Sequence, residues 1–289
     1  MNVLLTGGTG FIGGKLKTRL ESAGHDVMVV SRGPAGHVTW EPDAIRTAVR
    51  ASDAVIHLAG ENVFARRWSV HQKQTLRASR IDTTRLLAEA VADARPQAFI
   101  TASAIGYYGT SAERHFVAGD GPGDDFLARL CVDWEAARQP AVDAGVRTAT
   151  VRIGVVQGLG DGALQKMLLP FKLGLGGPVG HGRQWVSWIH MEDLLAMLAW
   201  LLENENTQGE YNGTAPTPVS NRELSTTLGR VLHRPAIVPL PDFVLRLVLG
   251  EVAELVLGGQ HVTPDRAVTE GFSFRFSELE PALRDLLNG

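Results

Sequence analysis

Among its 289 residues the chain has a single cysteine, Cys131. An internal disulfide is therefore impossible, and the expected compartment is a reducing one, the cytoplasm. Long apolar runs are also missing. The longest, Leu194 to Leu202, is too short to span a bilayer, and the apolar stretch Val244 to Leu257 is broken by Arg246, Glu251 and Glu254, as packed helices are. Charge of one sign is not in excess. A formal net charge of −3 gives no electrostatic attraction to nucleic acid or to an anionic membrane. The first residues already read as a strand, which leaves no room for a signal peptide. The nine histidines are scattered without the paired spacing of a metal site, so no metal is expected. There is no internal repeat and no low-complexity tract. What remains is 44% apolar and 20% charged, the composition of a soluble globular protein. Its length suits one large domain, or a domain with a smaller lobe.

Glycine is present where it matters. Val3-Leu4-Leu5 reads as a buried strand and Phe11-Ile12 as the start of a helix. Between and around them Gly7, Gly10 and Gly13 recur at every third position. A strand-to-helix turn needs one glycine where the chain bends and another where the backbone must lie against a pyrophosphate. A third lets the helix pack closely on the sheet. The helix N-terminus then offers unpaired N–H groups and a positive dipole end to phosphates. An ordinary tight turn is the plain alternative, but the strand–turn–helix context favours a dinucleotide. Asp26-Val27-Met28-Val29-Val30 reads as the second strand and ends on Ser31-Arg32. An acidic residue there would bind a ribose hydroxyl and favour NAD. Serine and arginine suit a 2′-phosphate instead, because a guanidinium offers fixed donors and a full charge. The expected cofactor is NADP(H).

Further along, Val38-Thr39-Trp40 suggests a short strand and Asp43 to Ala51 a helix. Ala54 to Leu58 reads as a buried strand ending in Ala59-Gly60, small enough for a nucleotide to lie over the sheet edge. A long helical pattern follows, with Leu76, Arg80, Thr83, Leu87 and Val91 on one side. Ala98 to Ser103 is the next strand, followed by the loop Gly106-Tyr107-Tyr108-Gly109. Asp124 to Ala144 reads as a helix, Thr148 to Ile153 as a strand, and Leu164 to Leu175 as a helix between glycine-rich loops. Arg183 to Ile189 reads as a strand leading to a helix over Glu192 to Glu203, and Tyr211-Asn212-Gly213 as a final strand. Ser220-Asn221-Arg222-Glu223 has the form of a capping box. Alternating strands and helices imply an α/β fold, a doubly wound parallel Rossmann sheet with ligands at the carboxyl ends of its strands. The expected division is residues 1–157, with 186–215 returning to them, for the nucleotide-binding domain. Residues 158–185 and 216–289 then form a smaller, mostly helical substrate lobe, with its tail as a lid.

These motifs resemble the extended short-chain dehydrogenases/reductases, in the epimerase and dehydratase branch. The glycine pattern, His57-Leu58-Ala59-Gly60 and Trp188-Ile189-His190-Met191-Glu192-Asp193-Leu194 carry the likeness. More narrowly, the chain is similar to an atypical subgroup, the short-chain family 39U "epimerase family" proteins with a C-terminal domain of unknown function. That likeness rests on Leu58-Ala59-Gly60-Glu61-Asn62, Ser79-Arg80-Ile81, Ser103 to Gly109, Asp133-Trp134-Glu135, Leu169 to Pro178 and Gly271-Phe272-Ser273-Phe274. It implies NADP contacted by Gly7, Thr9, Gly10, Phe11, Ile12, Ser31, Arg32, Leu58, Ala59 and Arg80.

The same resemblance exposes a departure. In the main family a tyrosine and a lysine share one helix face. The lysine lowers the phenol's pKa, and the phenolate exchanges a proton with the substrate hydroxyl as hydride moves to or from nicotinamide. Registered on Glu135, the lysine position is Cys131 and the tyrosine position Leu127. Leucine has no proton to give, and cysteine supplies no fixed positive charge. The family's helix asparagine is replaced by Arg80, while Ser103 fits the fourth position. Tyr107 or Tyr108 can stand in for the missing acid with Ser103 polarising the substrate oxygen, or both can simply line the pocket. Arg80 can perturb a phenol or hold the cofactor, and the second is favoured. His190 and Asp193 can be acid and base, or can cap a helix. Arg183 can clamp an anionic substrate or stand solvated in its loop. Cys131 reads as a small buried hydrophobe. Two functions follow as expectations. One is an NADP-dependent oxidoreductase or epimerase-like enzyme acting on an unknown carbonyl or hydroxyl compound. The other is a non-catalytic NADP(H)-binding redox sensor. Either would be a monomer or a homodimer.

Overall fold

The apolar runs that open the chain and recur along it pair side by side as strands. A computed structural model describes residues 1–288. Its central sheet is built from β1 (Asn2–Thr6), β2 (Asp26–Val30), β3 (Ala54–His57), β4 (Ala98–Ala104), β5 (Thr148–Ile153) and β6 (Gly209–Gly213). All neighbours are parallel, in the order β2-β1-β3-β4-β5-β6. Parallel strands need crossovers, and each crossover lays a helix on a face of the sheet. Alternation sends Val3 and Leu5 to one face and Leu4 to the other. On the first face lie α1 (Phe11–Ser22) and, later in the chain, α6 (Met191–Glu203), whose Leu194, Leu195 and Leu198 pack with Ile56, Ile100 and Tyr211. On the second lie α2 (Pro42–Arg50) and α3 (Val70–Ala94), packing Ile45, Val49, Leu87 and Val91 against Val55 and Phe99.

The remaining helices of eight residues or more are α4 (Phe126–Ala136), α5 (Gly162–Lys172), α7 (Asn221–Val231), α8 (Asp242–Leu249) and α9 (Leu279–Asn288). α5, α7 and α9 close around Leu168, Phe171, Trp188, Leu228 and Leu283. The serine half of the capping box is present at α7, where the Ser220 hydroxyl accepts the Glu223 N–H at 3.1 Å. Among the described residues, no helix is long and apolar enough to cross a membrane.

Three elements differ from the sequence expectation. The helix read over Asp124–Ala144 ends at Ala136, and a separate short turn of helix runs over Gln139–Asp143. Pro140 has no N–H with which to continue the ladder. The strand read over Arg183–Ile189 is two strands. Trp185–Val186 pairs antiparallel with Val219–Ser220, and Trp188–His190 pairs parallel with Val155–Gln157, so neither joins the central sheet. Val38 makes only an isolated bridge to Val30.

A buried carboxylate on α6 is one of the polar ties that fasten the tail. The two oxygens of Asp193, in the first turn of α6, accept the Arg275 N–H at 2.8 Å and the Phe276 N–H at 3.0 Å. Asp193→Ala removes both acceptors from a buried place, so chemical denaturation should show a stability loss of about 2–4 kcal/mol. A loss below about 0.5 kcal/mol, the usual scatter of neutral surface changes, would mean that the tail's other contacts hold it without Asp193.

Candidate functional site

Strand order reverses at β1, with β2 on one side and β3 on the other, and the loops that leave β1 and β3 part to form a crevice. Glycine is required there by contact. Gly7 has φ +72°, and a Cβ on it would lie 2.8 Å from the Leu58 carbonyl carbon. A Cβ on Gly13 would lie 2.2 Å from the Gly7 oxygen. The first loop thus rests directly on Leu58-Ala59, and α1 on the turn. Gly10 begins α1 without a side-chain cap, so the first-turn N–H groups stay open to an external acceptor. Side chains cap the starts of α3, α4, α6 and α7.

The other sequence-predicted cofactor residues adjoin this crevice. Gly60 leaves room for the Arg80 guanidinium, whose Cζ would be 3.2 Å from a Cβ at that position. Arg80 lies over the Trp134 ring at 5.1 Å, and burial holds its pKa below the usual arginine value. Arg32 follows Ser31 at the end of β2. Its side chain is 83% exposed, with the Glu61 carboxylate at 3.9 Å. A guanidinium so free can turn to a phosphate.

Beneath the crevice sits a residue that sequence reading used only as part of a strand. His57 is fully buried, with Nδ1 2.6 Å from the Thr6 hydroxyl and Nε2 2.9 Å from that of Thr84. Trp134 Nε1 donates to Thr84 at 2.9 Å, and the Ala59 N–H to Thr6 at 3.2 Å. Burial first, then the nearby Arg80 charge, push the His57 pKa from 6.5 down to about 3. The ring is neutral and joins the ends of β1 and β3 to α3 and α4.

At the carboxyl ends of β4 and β5 lies a second group. Arg152 and Glu135, 4% and 9% exposed, form a two-pronged pair. Nε donates to Oε1 and Nη2 to Oε2, both at 2.9 Å. Ser103 Oγ donates to the same Oε1 at 2.6 Å. Arg152 Nη1 donates to the Tyr108 oxygen at 3.0 Å and to the Ala118 carbonyl at 3.1 Å. Tyr108 donates to Asn212 Oδ1 at 2.7 Å, and Asn212 donates on to the Thr263 carbonyl at 2.9 Å. Burial opposes the Arg152 charge, but its bonds to Glu135 outweigh that and raise its pKa.

The sequence-predicted catalytic residues therefore have different surroundings. Tyr108 is buried, stacked on Phe116, and its hydroxyl is engaged on both sides. Burial raises its pKa. Tyr107 is half-exposed and lays its ring on the Arg152 guanidinium at 3.5 Å. Leu127 packs against Gly106, and Cys131 lies beside Ser103, its thiol pushed up to about 12 by burial, then by Glu135. The positions read for tyrosine and lysine thus border the Ser103 loop, carrying a hydrocarbon and an undissociated thiol. His190 Nδ1 accepts the Glu192 N–H at 3.1 Å as the cap of α6, and Asp193 holds the tail. Arg183 is exposed in its loop. Sequence reading passed over Arg152, Glu135 and Asn212 as site residues. The available signal was a charge inside a strand otherwise made of Thr, Ala, Val and Ile, which requires a partner.

Residues 3–212 match the model of the NAD dependent epimerase/dehydratase family, and residues 240–286 that of a domain of unknown function, DUF1731. The chain belongs to the NAD dependent epimerase/dehydratase family, and the likeness read from its motifs holds. It is 43% identical over 295 residues to the mouse epimerase family protein SDR39U1, covering 99% of this chain and 100% of that one. A crystal structure of human epimerase family protein SDR39U1 with NADPH superposes with a TM-score of 0.92 at 40% identity, covering 100% of this chain and 99% of that one. A nucleoside-diphosphate sugar epimerase of Corynebacterium glutamicum superposes at 0.80 with 30% identity, covering 99% of this chain and 58% of that one.

The buried histidine gives a pH test. A pKa depressed from 6.5 to about 3 on folding means its full stability contribution is present above pH 6.5 and is lost as pH falls toward 3. Between those values the unfolded ring takes a proton that the folded ring refuses. In His57→Gln this part of the acid sensitivity disappears. The difference between the two unfolding-energy curves should therefore change by about 3–5 kcal/mol across the window. Parallel curves would show that the ring titrates freely.

Proposed function

We propose that this protein binds NADP(H) and acts on a carbonyl or hydroxyl carbon of a small molecule, as an oxidoreductase or epimerase-like enzyme without the Tyr–Lys pair. The observation that carries this is the Ser103 hydroxyl at the end of β4, 2.6 Å from a carboxylate that Arg152 holds in place. The NADPH in the human relative's structure supports the cofactor. So do the close-packed glycine turn, the uncapped start of α1 and the exposed Arg32. Thr9, Phe11 and Ile12 offer the pyrophosphate their backbone N–H groups, Leu58, Ala59 and Gly60 the flat edge, and Ser31 and Arg32 the 2′-phosphate site. Bound NADP(H) supplies the hydride exchange.

The chain's own residues handle the proton. Ser103 donates to Glu135, so its oxygen faces the substrate as an acceptor. As a substrate hydroxyl gives its proton to Ser103 Oγ, the Ser103 proton moves to Glu135 Oε1; carbonyl reduction runs the same path backwards. Tyr107, half-exposed, is the phenol available to the substrate oxygen, whereas Tyr108 positions Arg152. The reaction lies between residues 1–157 with 186–215 and the lobe of 158–185 with 216–289.

The second reading, a non-catalytic NADP(H) sensor, is favoured by Leu127 and the undissociated Cys131 thiol. Ser103→Ala separates the two. For an enzyme it should cut turnover about 100-fold or more and leave NADPH affinity, followed by cofactor fluorescence, unchanged. Tyr107→Phe should reduce turnover while Tyr108→Phe chiefly costs stability, about 1–3 kcal/mol for unpaired buried partners. Tight NADPH binding with no turnover across a panel of carbonyls, together with a partner held in only one redox state, would support the sensor instead. For the cofactor, Arg32→Ala should weaken NADP by roughly 1.5–3 kcal/mol and NAD far less. Equal losses would count against the 2′-phosphate site.

A further inference from the structure

Resting on that reading of the site, we infer that its substrate is an uncharged, apolar carbonyl or carbinol compound, not a sugar nucleotide or a sugar phosphate. The inference starts from α8. Its sequence is Asp-Phe-Val-Leu-Arg-Leu-Val-Leu, yet none of its residues is buried. Phe243, Leu247 and Val248 are 69%, 71% and 59% exposed. Apolar helices are stabilised mainly by burying such side chains; here, among the apolar residues, only Val244, Leu245 and Leu249 are half-buried, and polar ties at the flanks add to them. Arg67 donates through Nε to the Val248 carbonyl at 2.8 Å and through its other arm to Leu247, while Lys73 bonds Glu251 at 2.5 Å. Before the helix, the Gly180 N–H donates to the Leu240 carbonyl at 2.8 Å.

The chain leaving α8 reaches the Ser103 end of the crevice. Gly258 packs on Thr110, and Gln260 Nε2 donates to the Ile105 carbonyl at 3.0 Å, at the start of the turn that carries Tyr107. The apolar segment therefore runs from the loop of Arg67 and Trp68 to the loop of Tyr107, the two loops that flank α4. Between them the side chains are hydrocarbon and aromatic. Trp68 meets Phe126 edge to face at 5.1 Å, and Leu127 lies against Gly106. Trp68, Phe126, Leu127 and Tyr107 all keep part of their surface exposed.

The donors of Trp68, Lys73, Arg67 and Arg152 are already engaged. The Trp68 indole N–H donates to the Val63 carbonyl at 3.0 Å. Lys73 bonds Glu251 and lies 5.0 Å over the Phe126 ring, Arg67 is spent on helix carbonyls, and Arg152 is spent on Glu135. A diphosphate could draw Arg67 or Lys73 only by taking them from the Leu247 and Val248 carbonyls or from Glu251, which would then lose their donors. A flat or alkyl body covers the half-exposed Trp68, Phe126, Leu127 and Tyr107, and its oxygen is the one polar atom that Ser103 must meet.

The test uses the full chain in two formats. Calorimetry without cofactor measures binding of acetophenone, benzylacetone and decanal against UDP-glucose and fructose phosphate. NADPH absorbance then measures turnover of each carbonyl, and NADP+ reduction that of benzylacetone's alcohol. Saturable binding of the apolar probes is expected, with a negative heat-capacity change. Trp68→Ala should weaken it at least tenfold and leave NADPH affinity unchanged. Arg66→Ala and Arg183→Ala, at exposed loop arginines available to a phosphate, should leave it alone. The substrate class is overturned if no apolar probe saturates, if Trp68→Ala has no effect, or if the sugar compounds bind and lose affinity in the arginine variants. Turnover of sugar compounds alone also overturns it while leaving the oxidoreductase reading intact. Apolar binding without turnover in either direction keeps the ligand class and sinks that reading.

Discussion

A guanidinium and a carboxylate kept out of water organise the working end of this molecule. Removing two charges from water is costly, and their attraction repays it only where geometry is good and every remaining donor is used. Arg152 places four of its five N–H donors, on both Glu135 oxygens, on Tyr108 and on the Ala118 carbonyl. Because Arg152 is on β5, Glu135 on α4, Ser103 on β4 and Asn212 on β6, one pair fixes four elements relative to each other. Replacing one partner strands the other. The place in which Ser103 presents its oxygen is thus set by a structural necessity, independent of any ligand.

The fold was largely legible because its signals are local. Short buried runs, a glycine at every third position and the serine start of α7 each act within a few residues. They led to the parallel sheet, to the crevice at the reversal of strand order and to the last strand at Gly209–Gly213. Where a single local feature competes with a longer pattern, the pattern misleads. Pro140 cuts a helix whose apolar spacing continues past it. Ser187 lies between two short strands that pair with different partners, although Trp185 to Ile189 alternates as one.

The site was legible on its nucleotide side and much less so on its chemical side, for the same reason. Gly7 and Gly13 announce a close backbone approach in their own sequence neighbourhood. Glu135 and Arg152 are partners across the fold, and nothing beside either residue names the other. Tyr107 and Tyr108 are adjacent in sequence and equal on that evidence. Only packing separates them, since one side chain turns into the Asn212 network and its neighbour lies on the outer face of Arg152. Likewise His190 and Asp193 have the residue types of an acid–base pair, and their hydrogen bonds assign them to a helix start and a tail.

Cys131, introduced above as a replacement for a family lysine, has a consequence for how the molecule can be watched. Its thiol is enclosed, stays undissociated up to strongly alkaline conditions, and has no second cysteine with which to pair. The native protein is therefore blind to alkylating reagents and mild oxidants, which attack only the thiolate. Reaction at this one atom reports any opening, local or global, that uncovers it. The chain carries a built-in clock for the opening of its own centre.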